Sequence, residues 1–289
     1  PVCPSIVIDN DDMPHVDYRV GVNKGIAITR YSNIITVDAG GTCTLEQAII
    51  AANTDTSSGG CPAGDGHDTI ILEDDILLAA ALPAIATPIT IEGQGHTIDG
   101  NDGDWPVLQT HTGGKLILNK VRLTGANNLS SDGGGIINSN GAILSVNNST
   151  IDGNMAHNGG GISNYGTATV ANLTLSGNTA NNSGGGICNW GTFTMNSSTL
   201  SENHANAEGG GIDNFTGTVT LVSSIIAGNT AGAGAHEIAN NIADGGILIA
   251  NRANLLGHGE EDNSQAFSDF TAGSSDQTCT CDGKKAKTL

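Results

Sequence analysis

Gly133-Gly134-Gly135-Ile136, Gly159-Gly160-Gly161-Ile162, Gly184-Gly185-Gly186-Ile187 and Gly209-Gly210-Gly211-Ile212 open four copies of one unit, at steps of 26, 25 and 25 residues. Each copy continues to an asparagine: Asn138, Asn164, Asn189 and Asn214. A short alternating run follows: Leu144-Ser145-Val146, Thr169-Val170, Phe193-Thr194-Met195 and Val219-Thr220-Leu221. A second asparagine closes the unit: Asn154, Asn178, Asn203 and Asn229. A fixed period of this size marks a stacked solenoid. The runs are too short for amphipathic helices and alternate as strands do. The reading is therefore all-β: a parallel β-helix in which equivalent residues stack in columns roughly 4.8 Å apart. Ile136, Ile162, Ile187 and Ile212 form an interior column. The two asparagine series form amide ladders at the turns, and the glycines allow tight corners. Cys188 follows Ile187 and is expected to point outward, since its equivalents Ile137, Ser163 and Asp213 share no chemistry.

The totals agree with a thin, stacked core. Aromatic residues make up 3% of the chain while glycine numbers 42. The formal net charge is −19, with 10 Lys plus Arg, which argues against a nucleic-acid partner because phosphate needs a basic face. No apolar run is long enough for a transmembrane helix. The chain opens at Pro1, as if a leader had been removed. Six cysteines without metal-ligand spacing fit an exported, disulfide-permissive location.

Residues 1–37 lie outside the repeat and are strand-rich. They form either an irregular first coil or an arm that pairs with a neighbour, locked by Cys3. Residues 38–72 hold the one convincing helix, with Thr42 or Thr44 as cap and Leu45, Ala48, Ile49 and Ala52 on one face. An amphipathic helix just before the first coil would plug the open end of a solenoid. A Cys43–Cys61 bridge would pin the following loop to it, contributing roughly 3 kcal/mol. Residues 73–258 carry the β-helix, with degenerate coils at each end. Residues 259–289 read as a polar tail or second cap.

Cys43-Thr44-Leu45-Glu46-Gln47-Ala48-Ile49, Asn53, Cys61, Ala63-Gly64 and Asp68-Thr69-Ile70-Ile71-Leu72 together resemble the CSLREA-type N-terminal domain of bacterial surface proteins. The Gly-Gly-Gly-Ile-x-Asn units resemble the repeats of polymorphic outer-membrane proteins. The resemblance covers roughly residues 36–258 and departs at Glu46-Gln47, where the family pattern has Arg-Glu. It implies a right-handed parallel β-helix, secreted or on the cell surface. It implies no activity, because a fold does not carry one.

The chemistry of a polysaccharide lyase needs a basic residue, and no Lys or Arg occurs from Leu123 to Asn251. His157, His204 and His236 do not form a column and read as loop histidines. A hydrolase needs two carboxylates at a set separation. Asp152 and Glu202 are read as sharing one repeat position with Ser176 between them, while Asp132 and Glu208 stand too far apart. No cofactor is expected. The candidate metal is a structural calcium ion at Asp99–Asp104 or Asp9–Asp12, where acidic turns are the plainer explanation. Sequons such as Asn172-Leu173-Thr174 follow from an Asn/Ser/Thr-rich repeat. An ice-binding face would want outward threonine columns; Thr150, Thr174 and Thr199 begin one and Ile225 breaks it. The expectation is a non-enzymatic structural or adhesive β-helix that associates with itself or with other extracellular surface components. The alternative is a carbohydrate-active enzyme.

Overall fold

A computed structural model describes residues 5–8, 14–17, 33–38, 40–251, 254–257, 267–268 and 276–278. Contacts divide the chain into two compact units, Pro1–Tyr31 and Ser32–Leu289. In the first, Ser5–Ile8 pairs antiparallel with Pro14–Asp17. Cys3, Cys279, Cys281, the acidic run Asp9–Asp12 and the lysines near the C-terminus lie outside the described residues, as does their part in assembly.

The second unit is a parallel β-helix. Its strands belong to three sheets. A broad sheet of nine strands runs from Ile34–Val37 to Ile247–Asn251. A narrow sheet of seven includes Ile136–Asn138, Ile162–Asn164, Ile187–Asn189, Ile212–Asn214 and Ile238–Asn240. A third sheet of thirteen includes Thr150–Asp152, Thr174–Ser176 and Thr199–Ser201. Each coil is bonded to the next in parallel register, with Ile136 opposite Ile162, Ile162 opposite Ile187 and Ile187 opposite Ile212. The predicted isoleucine column is thus present and buried, and Leu108 and Ile238 extend it. Alternation does the rest: in Thr167–Ala171, Ala168 and Val170 are buried while Thr167 and Thr169 are exposed. Successive Cβ atoms leave a strand on opposite sides, so one alternating run fills the core and faces outward at once.

The glycine triplets serve two physical ends. The first glycine of each has a positive φ, 60° at Gly159 and 69° at Gly184. The second meets the next coil's backbone so closely that a Cβ on Gly185 would lie 2.4 Å from the Gly210 carbonyl oxygen. Close coil-to-coil approach, as much as corner geometry, demands glycine there.

The helix is Leu45–Thr54, with Thr44 and Gln47 in a reciprocal capping box and Leu45, Ala48, Ile49, Ala51 and Ala52 buried. Cys43 and Cys61 are joined by a disulfide. Asn53 ties the helix to the next coil by donating to the Ala84 carbonyl and accepting from the Ala86 N–H, both at 2.9 Å. The position of the helix is corrected. The helix does not precede the first strand of the stack, because Ile34–Val37 pairs in parallel with Asp68–Leu72 and stands at the sheet edge before it. Those four residues therefore belong to the solenoid, in keeping with the first-coil alternative for this stretch, and their alternate Ile35 and Val37 are fully buried. At the other end the stack continues past residue 258, with Phe267–Ser268 and Gln277–Thr278 pairing onto Ile238–Asn240 and Leu255–Leu256.

Candidate functional site

Both asparagine series form ladders, and both are internal. In the first, the Asn138 amide donates to Asn164 Oδ1, Asn164 to Asn189, Asn189 to Asn214 and Asn214 to Asn240, at 2.7–2.8 Å. Thr110 Oγ1 starts the series by donating to Asn138 Oδ1. The same amides reach strand starts on the broad sheet, at the carbonyls of Thr167, Thr192 and Thr218. In the second, Asn154 donates to Asn178, Asn178 to Asn203 and Asn203 to Asn229, at 2.8–3.1 Å. Each also donates to a carbonyl of an earlier coil, as Asn203 does to Leu175. All eight predicted ladder residues are fully buried. An unpaired buried amide is costly, and stacking lets each amide satisfy its neighbour. Glu237 ends the second series: its carboxylate accepts from the Asn229 amide at 2.7 Å and from the Gly228 N–H at 2.8 Å.

The row facing away from the isoleucine column was misjudged. Cys188 does turn away from the main core, yet it is 1% exposed, and Ser163 and Asp213 are buried with it. The first glycine of each triplet turns back over this row. A Cβ on Gly184 would lie 2.8 Å from the Cys188 Cβ, and one on Gly159 would lie 2.4 Å from Ser163 Oγ. The result is a second, thinner buried layer. Cys188 Sγ lies 3.9 Å from an Asp213 carboxylate oxygen. Burial pushes the Cys188 thiol up, helped by the charge of Asp213. Burial, and then the neighbouring Glu208, raise Asp213 to about 6. Asp213 therefore gives up its proton at a higher pH than a free carboxyl does, because its charged form is poorly solvated in this layer.

Three aromatic side chains flank this layer in successive coils. Tyr165 and Trp190 stack with centroids 4.5 Å apart and planes 4° from parallel, and Phe215 lies 6.3 Å from Trp190 at 41°. The Tyr165 hydroxyl donates to Asp132, which also accepts from the Asn158 amide at 2.9 Å. Burial first, and then that hydrogen bond, push the Tyr165 phenol well up. The ring spacing matches the coil rise, so the ring planes lie across the stacking direction. Trp190 thus has Tyr165 against one face and Phe215 towards the other. The three rings form an aromatic ladder along the stack.

The carboxylate pair read from the repeat does not exist. Asp152 is in register with Ser176 and Ser201, so Glu202 lies one residue further along its coil. Asp152 is instead held by Arg122 through two bonds of 2.8 and 2.6 Å. In the acidic turn, Asp99 Oδ1 accepts from the Asn101 N–H at 2.8 Å and Asp104 accepts from the Ser130 hydroxyl. His157 is exposed and His204 bonds Thr230 Oγ1 at 2.9 Å. Among the described residues no helix is long and apolar enough to cross a membrane. The row Ser163–Cys188–Asp213 gave no sequence signal, because its members differ chemically and only the overlying glycines bury them. No family model matches the chain, and neither a curated protein nor a solved structure is found similar to it.

Proposed function

We propose that this is an extracellular, non-enzymatic β-helix of the CSLREA-like surface-protein kind, acting as a rigid structural or adhesive rod. The supporting observation is the pair of buried amide ladders, which lock successive coils to each other through most of the repeat. Residues devoted to stacking fix outward side chains at a constant period, which suits repeated weak contact with an extended surface. The Cys43–Cys61 disulfide fits an oxidising compartment. A second reading, glycoside hydrolysis, draws on Asp213, raised to about 6 beside Glu208. Incubation of the purified chain with a panel of neutral and acidic polysaccharides separates the two. We expect binding or rod assembly under the electron microscope with no release of reducing ends. Turnover that disappears in Asp213→Asn would overturn the structural reading.

A further inference from the structure

The outer surface of the broad sheet carries a feature that neither the ladders nor the cap requires. Three adjacent strands, Thr167–Ala171, Thr192–Asn196 and Thr218–Val222, each place Thr-x-Thr outward. Register puts Thr167, Thr192 and Thr218 in one column and Thr169, Thr194 and Thr220 in the next. The six form a two-by-three grid. Its spacing is about 4.8 Å between coils and about 6.7 Å along each strand, two residues of rise. This is a different sheet from the one bearing Thr150, Thr174 and Thr199, whose column Ile225 does interrupt.

The grid is free and rigid. Among the described residues none hydrogen-bonds to any of its six hydroxyls, whereas Thr90 bonds His67 and Thr230 bonds His204. Beneath it Ala168, Val170, Phe193, Met195, Val219 and Leu221 are at most 1% exposed. The ladder amides of Asn138, Asn164 and Asn189 grip the carbonyls of Thr167, Thr192 and Thr218, so the buried ladder sets the pitch of the outer column. From Ile143–Asn147 to Ile247–Asn251 the outward positions of five adjacent strands carry no charged residue, although the chain's formal charge is −19. Lys115, one strand before Ile143, marks the edge of this neutral field.

A neutral solid with its own two-dimensional repeat of hydrogen-bonding atoms fits such a surface, and a mobile charged partner does not. Hexagonal ice presents oxygen rows whose repeats lie close to both spacings of the grid. We propose that this face binds ice. The threonine methyl groups hold first-layer water in place while the hydroxyls bond it, so ordered water on the grid merges with the crystal. Fixed side chains on a β-helix lose little freedom on contact, which favours adsorption. Ice recognition requires only the folded stack, whether or not the rod also adheres to other surfaces.

The test uses the full chain and two substitutions of the same kind, Thr194→Lys at the centre of the grid and Thr174→Lys on the other sheet. Ice-crystal habit and inhibition of recrystallisation are measured against equal concentrations of an inert globular protein. We expect the unsubstituted chain to facet ice and slow recrystallisation. Thr194→Lys should lose roughly tenfold or more in potency, and Thr174→Lys should keep it, with unchanged circular dichroism in both. A folded chain that leaves ice growth like the inert control overturns the proposal, and so does a Thr194→Lys variant of full potency. Adsorption to powdered crystalline polysaccharide through the same grid, with no effect on ice, also overturns it and reassigns the face.

Discussion

The narrow sheet and the broad sheet are built from the same coils by the same parallel pairing, yet they end differently. In Ile187–Asn189 all three residues are buried, while in Thr167–Ala171 alternate residues reach solvent. The difference comes from what lies outside each sheet. The first glycine of each triplet closes over the narrow sheet and buries the row at Ser163, Cys188 and Asp213. From Ile143–Asn147 to Ile247–Asn251 the broad sheet keeps an uncharged outer face rich in threonine, asparagine and isoleucine. A strand's alternation therefore says which side a residue takes and not whether that side is dry.

The strongest way to break the contrast is Asn189→Ala, because Asn189 serves both sheets. It removes the bonds to Asn164 and Asn214 and the reach to the Thr218 carbonyl. Leaving buried amide groups unpaired should cost on the order of 3 kcal/mol. Urea unfolding would measure this, and a loss below about 0.5 kcal/mol, the range of ordinary surface changes, would show that the ladder is dispensable.

The second layer is sharpened by pH. Asp213 stands at about 6 in the folded chain, against about 3.9 unfolded. The folded state thus binds more protons between these values. Its stabilisation is full below the unfolded value and is lost as pH rises through about 6. Asp213→Asn should flatten the fall in melting temperature between pH 4 and 7, roughly the span of the two values. An unaltered pH profile would show that Asp213 is not held in a dry layer.

The smallest expected effect is Cys188→Ser. An outward, wet residue would tolerate the change with no loss. A residue 1% exposed and beside Asp213 should lose about 1 kcal/mol, because a hydroxyl is costlier to bury than a thiol. The thiol should also resist a thiol-reactive dye until the chain unfolds, since only the thiolate reacts.

Much of the stack was legible because its rules repeat. The Ile136–Ile212 column, both amide ladders, the helix at Leu45–Thr54 and the Cys43–Cys61 bridge follow from period, alternation and capping chemistry. Cys188 was not legible, because it is buried by Gly184 turning back over it, which strand alternation does not reveal. Asp152 and Glu202 were misaligned by one residue, a slip that matters because a single step changes which side chains share a column. The threonine grid was visible in the alternating runs, but its free hydroxyls required the hydrogen-bond network. Ile34–Val37 left a first coil and an arm both open because the helix interrupts the chain between it and its partner strand.

Glu237 has a consequence for the length of the molecule. An asparagine both receives and passes on a bond, so a column of them has no intrinsic end. After Asn229 the run of asparagines stops, and the Asn229 amide goes to the Glu237 carboxylate. Each coil meets only the coils on either side, so a further copy of a unit such as residues 184–208 can be spliced in before that stop. The bonds of the ladder would be repeated in the added coil, and the stack would lengthen by one rung of about 4.8 Å. Duplication of a single unit thus becomes a nearly neutral change of length.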